Sequence, residues 1–188
     1  MLAINGPELF ATEYKINNNV ESEAGCQTNW GIHIAVINPI TLVPWSTDDA
    51  GRDYGNANDE IGSKGGNSCI YPDNKFIFWD AYSGQTSNLV KMLQAVPNGY
   101  YILAYSWIEG AFKASSGLTN ANAVVTEFQN LGANQMMAHM TTPGMDSVPW
   151  IFFVQKGNPA SAKELYGASA TSAISDSFTL KSNGTYGA

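Results

Sequence analysis

The sequence predicts an α+β fold: a β-rich core of mixed or antiparallel, sandwich-like sheets flanked by two short helices. Strand-prone segments outnumber helical ones, and one strand–helix–strand–helix–strand succession occupies the middle of the chain. Such a succession lays helices over a sheet. The length of 188 residues and a hydrophobic content of 44% provide the core of one domain spanning the whole chain.

Residues 9–16 (LFATEYKI) alternate imperfectly and predict an edge strand that Asn17, Asn18 and Asn19 break as a turn. Residues 31–37 (GIHIAVI) are strongly β-prone. Ile32, Ile34 and Val36 fall on one face and His33, Ala35 and Ile37 on the other. Asn38-Pro39 ends this strand, because proline lacks the N–H a ladder needs. Residues 46–74 are rich in Gly, Asn and Asp and predict a long surface-loop insertion. Residues 75–79 (KFIFW) predict the next strand.

Ser87 or Asn88 caps a helix through Val96, with Leu89, Leu93 and Val96 on one face. Pro97-Asn98-Gly99 stops it, and residues 100–106 (YYILAYS) follow as a buried strand. A loop over 107–117 leads to a second helix capped by Thr119 or Asn120. Ala121, Val124, Val125, Phe128 and Leu131 line its apolar face, and Gly132 sits just past its end. Residues 135–140 and 150–155 predict two strands separated by a turn-rich segment. Residues 173–181 predict a weaker one, and 182–188 a polar tail.

Charged residues make up only 13% of the chain, so the polar surface comes from Asn, Ser, Thr, Gln and Gly, as in secreted modules and virion surface proteins. The net charge is −7 and the only arginine is Arg52. Nucleic-acid binding needs clustered cations, so this balance argues against it, and against anionic membranes. No apolar run reaches membrane-span length, which argues against membrane insertion. The opening segment MLAINGPELFATEYK lacks a basic n-region and an apolar h-region. Either a signal was removed or none was used. A virion component, assembled inside a cell and working outside it, fits both.

Residues 76–80 (FIFWD) lead through a polar turn into a helix, then Val96-Pro97-Asn98-Gly99 and the strand Ile102-Leu103-Ala104. A second helix ends in Phe128-Gln129-Asn130-Leu131-Gly132-Ala133, and an aromatic strand is closed by Lys156-Gly157. Upstream, residues 29–38 (NWGIHIAVIN) supply a Gly-hydrophobic opening strand. In this order and spacing the stretch 76–168 resembles the interleukin-like EMT-inducer (ILEI/PANDER-like) family. The resemblance implies a compact fold of antiparallel or mixed sheets flanked by helices, without catalytic machinery. It implies secreted signalling proteins or accessory modules, some of which bind carbohydrate. The family's acidic pocket residue corresponds to Glu109. Its arginine before the aromatic strand has no counterpart, since residues 141–149 hold neither Arg nor Lys.

Catalytic constellations are poorly represented. His33 lies in a β-prone run and His139 in MMAHM, both reading as satisfied sheet histidines rather than triad members. No nucleophile elbow or phosphate loop occurs, and Gly62–Gly66 (GSKGG) lacks the required ending. No cofactor is implied. Asp48, Asp49, Asp53 and Asp59 form either a solvated loop or an oxygen-rich calcium site, without the EF-hand spacing. Cys26 and Cys69 are either two free thiols or a disulfide stapling the long loop to the sheet; their context suits neither zinc nor nucleophilic catalysis.

The aromatics carry the recognition expectation. Trp107 opens a loop beside Glu109 and Phe112, and Trp45 borders the long loop near Tyr54. Each tryptophan is either core or an exposed ring beside Asn, Asp or Glu, which suits sugar stacking or a protein contact. Together these features predict a non-catalytic structural or recognition module. The leading placement is a phage virion surface, as a tail-fibre, tail-tip or capsid-decoration component. There it would join neighbouring structural proteins as a homo- or hetero-oligomer and bind a surface glycan. The alternative is a secreted carbohydrate-binding or signalling domain.

Overall fold

The computed structural model describes residues 2–5, 13–22, 31–47, 49, 51–54, 74–79, 85–107, 121–142, 148–180 and 186–187. The fold is α+β. A five-stranded antiparallel sheet has the order β5-β4-β6-β7-β8, formed by β4 (Gly31–Ile37), β5 (Phe76–Trp79), β6 (Tyr101–Trp107), β7 (Trp150–Gln155) and β8 (Asn158–Tyr166). A four-stranded sheet of order β3-β2-β1-β9 is formed by β1 (Leu2–Asn5), β2 (Glu13–Ile16), β3 (Asn19–Ser22) and β9 (Ile174–Ser177). A short ribbon joins β10 (Thr179–Leu180) to β11 (Tyr186–Gly187).

The large sheet is buried on both faces, which explains why its central strands read as continuous apolar runs. One face of β4 (Ile32, Ile34, Val36) packs against helices α1 (Gln85–Ala95), α2 (Ala121–Asn130) and α3 (Met136–Thr141). Leu89, Leu93, Val124 and Phe128 supply the helical side of that layer. The other face (Ala35, Ile37, Leu103, Phe153) packs against Tyr14, Ile16 and Phe178, on the side of the smaller sheet. Phe178 stacks on Phe153 at 4.1 Å between centroids. Tyr14 donates to the Asn74 carbonyl at 2.6 Å, and the Asn74 amide donates to the Glu21 carbonyl, so the approach to β5 is tied to the smaller sheet.

Four expectations need correction, the first being that neither Ser87 nor Asn88 caps α1, because that helix already begins at Gln85 and holds both within its first turns. The described residues hold three helices rather than two, because residues 135–140 are not a strand: α3 begins at Met136. A short apolar run does not separate the two states. Here the Glu164 carboxylate decides, accepting the backbone N–H groups of Asn134 and Gln135 where the helix begins. Strands β1, β3 and β8 escape the sequence pattern. β8 carries Pro159 and few large apolar residues, and its partly exposed edge position tolerates both. The polar tail also contributes a strand, β11. The β2–β3 turn falls on Asn17 and Asn18, at φ 51° and 67°, as a primed hairpin turn requires.

Candidate functional site

β4 ends at Ile37, and Asn38 organises the loop that follows. Its Oδ1 accepts the N–H groups of Ile40 (2.8 Å) and Thr41 (3.1 Å), an Asx turn. The Leu42 N–H donates to the Asn38 carbonyl at 3.0 Å, with Leu42 in the left-handed region at φ 58°. The chain then returns along β4: Asn38 N–H donates to Val43 O, and Trp45 N–H to Val36 O at 2.8 Å. The loop presents Ile40, 89% exposed, and Val43, 61% exposed, at its tip.

The Asp49 N–H donates to Ser46 O and the Arg52 N–H to Asp49 O, which brings Asp49 and Arg52 back beside Trp45. The Arg52 guanidinium lies 4.5 Å from the Trp45 ring centroid and pairs with the Asp49 carboxylate at 2.5 Å. Trp45 also meets Tyr100 at 6.1 Å and Phe76 edge-on at 6.5 Å. Between these elements opens a cleft of about 370 Å³, lined by Asn38, Thr41, Trp45, Asp49, Arg52 and Tyr100 among others. That volume lies within the range of small-ligand sites. The Asn38 side-chain amide donates to the Tyr100 hydroxyl at 3.1 Å across the cleft.

The sequence candidates distribute unevenly over this arrangement. Trp45 and Asp49 line the cleft. Trp45 is buried in the helix-side core at 7% exposure, so its ring is a wall rather than a free stacking platform. Tyr54 packs edge-on against Phe76 at 6.1 Å, supporting that wall from behind. Asp53 is exposed. Among the described residues no three His, Cys, Asp or Glu side chains converge as metal ligands. Trp107 closes β6 opposite Gly31 in the ladder. Glu109, Phe112, Asp48, Asp59, Cys26 and Cys69 lie outside the described residues.

Arg52, Asn38, Thr41 and Tyr100 carry the cleft's polar chemistry without having been singled out for it in the sequence. The only available signals were that Arg52 is the sole arginine and that Asn38-Pro39 marks a turn.

Two other polar groupings are structural. Burial, and then the nearby Lys75 charge, hold His33 well below its usual pKa, so it is neutral within the sheet interface. Lys75 itself is fully buried and lowered to about 7 by that burial. His139 lies parallel to the Tyr166 ring, with 3° between the planes. Burial first, then the charge and hydrogen bond of Glu164, raise the Tyr166 phenol and keep it protonated.

No protein-family model matches the chain, and neither a curated protein nor a solved structure matches it at a significant level.

Proposed function

We propose that this protein is a non-catalytic recognition module that holds a saccharide in the cleft between the Asn38–Trp45 loop and Tyr100. The carrying observation is the cleft itself: about 370 Å³, with a tryptophan–tyrosine wall and convergent Asn, Thr, Asp and Arg side chains. Sugars present hydroxyl edges and apolar C–H faces, and such a lining meets both. The non-catalytic reading draws support from the two histidines, one buried neutral in the sheet and the other stacked on Tyr166. Screening on a glycan array, followed by titration of a bound glycan, tests the reading. Tyr100→Ala and Arg52→Ala are expected to weaken binding about tenfold or more. A glycan that binds equally well to both variants, with their folds intact, would refute the site.

A placement on a virion or cell exterior is supported by the low charged content and the Asn-, Ser- and Gly-rich surface. Attachment to a neighbouring structural protein is favoured by the exposed Ile40 and Val43 at the cleft rim. Mass spectrometry of purified particles from the source tests this placement, and absence of the chain from them counts against it.

A further inference from the structure

The same cleft holds a set of uncommitted hydrogen-bond donors that points to a ligand class. Asn38 Oδ1 is committed to two backbone amides, so the orientation of the side-chain amide is fixed and its NH2 group faces the Tyr100 hydroxyl. The Tyr100 oxygen accepts that bond, which leaves its own O–H to donate elsewhere. Thr41 Oγ1 likewise accepts from the Val43 N–H at 3.3 Å, leaving its hydroxyl proton for a ligand. The Arg52 guanidinium meets Asp49 through one nitrogen and carries five N–H donors in all, with the side chain 30% exposed. Tyr100, Thr41 and Arg52 therefore each keep donor capacity for a ligand in this lining. Among the described residues lining the cleft, the one carboxylate is Asp49, which meets Arg52 through a single oxygen.

Charge distribution reinforces this. The chain has a net charge of −7 and a single arginine, and that arginine lines the cleft. Guanidinium binds carboxylate in a planar, two-pronged geometry that lysine does not reproduce.

We infer that the cleft selects a carboxylate-bearing saccharide, a uronic or ulosonic acid residue, whose carboxylate shares Arg52 with Asp49 and accepts from Tyr100 or Thr41. This inference rests on the saccharide reading above and adds the charge requirement. Asp49 holds Arg52 in place over Trp45 and competes with the ligand carboxylate, so it acts as a brake on affinity.

The test is calorimetric titration of galacturonate- and sialate-terminated oligosaccharides against the same compounds as methyl esters. The esters remove the charge and keep the shape. At least one acid is expected to bind about tenfold more tightly than its ester, with that preference fading in high salt. Arg52→Gln is expected to abolish the preference. Asp49→Asn is expected to tighten the acid several-fold and leave the ester unchanged, an effect a merely structural Asp49 would not produce. Thermal melts of both variants establish that they fold.

Esters that all bind as well as their acids, or an Asp49→Asn variant with unchanged acid affinity, overturn the charge requirement. If a neutral glycan binds and is lost with Tyr100→Ala, the saccharide reading survives and this inference does not. If neither acids, esters nor arrayed glycans bind, both are overturned.

Discussion

The indole N–H of Trp150 donates to Glu164 Oε1 at 3.2 Å, across the pairing of β7 with β8. The same carboxylate accepts the Tyr166 hydroxyl at 3.1 Å and the N–H groups of Asn134 and Gln135 at 2.8 and 2.9 Å. One side chain thus satisfies a core tryptophan, orients an aromatic on the sheet edge and starts α3. Bonds to a charged acceptor are the stronger kind, and removing the acceptor leaves donors unsatisfied. Glu164→Ala is expected to cost roughly 3 kcal/mol, the penalty of leaving these donors unsatisfied, read from urea denaturation. Glu164→Gln should cost less, since its amide keeps one acceptor oxygen.

Two glycines separate backbone strain from steric collision. Gly99 has φ +91° with open space where a Cβ would stand. Gly132 has φ +105°, and a Cβ there would meet the Pro159 carbonyl oxygen and Ala162 Cβ, the latter at 2.7 Å, on β8. Gly99→Ala should therefore cost about 1 kcal/mol, the left-handed penalty alone. Gly132→Ala should cost at least about 3 kcal/mol, because a strand must move as well. Equal melting shifts for the two variants would contradict this assignment.

Lys75 predicts a pH dependence with a definite sign. Its amine is lowered to about 7 in the folded protein, from 10.5, by burial. Between those values the unfolded chain carries a proton the folded chain does not, so stability rises with pH across that interval. Below pH 7 both states are protonated and the full cost of the buried charge is felt. His33, also depressed, adds a further loss as pH falls below 6.5. Denaturant midpoints should climb from pH 6 to pH 9.5. In Lys75→Met the slope above pH 7 should flatten, and the variant should be more stable than the parent at pH 6.

Phe178 is buried at 1% exposure against Phe153, where the segment following β9 meets the large sheet. Phe178→Ala is expected to cost about 3 kcal/mol, as large aromatic deletions do. Hydrogen exchange should show the loosening first in β1, β2 and β9, while β4, β6 and β7 remain protected. Uniform loss of protection across both sheets would instead mean that the layers unfold as one.

The fold class was legible from local chemistry. Alternation in 31–37, the apolar faces of α1 and α2, and the stops at Asn38-Pro39 and Pro97-Asn98-Gly99 depend on residues near in sequence. Both assignments of β4 faces hold, with Ile32, Ile34 and Val36 toward the helices and Ala35 and Ile37 toward the second sheet. What the sequence left open depended on partners far along the chain. α3 is a helix with Glu164 at its start, 29 residues from Gln135. β8 is a strand because β7 offers it an edge. The cleft exists because Asn38 reaches Tyr100, 62 residues away, while Arg52 folds over Trp45. Local periodicity records which face of an element seeks burial. It does not record which distant group will satisfy a donor, and in this protein that pairing decides where the candidate ligand site lies.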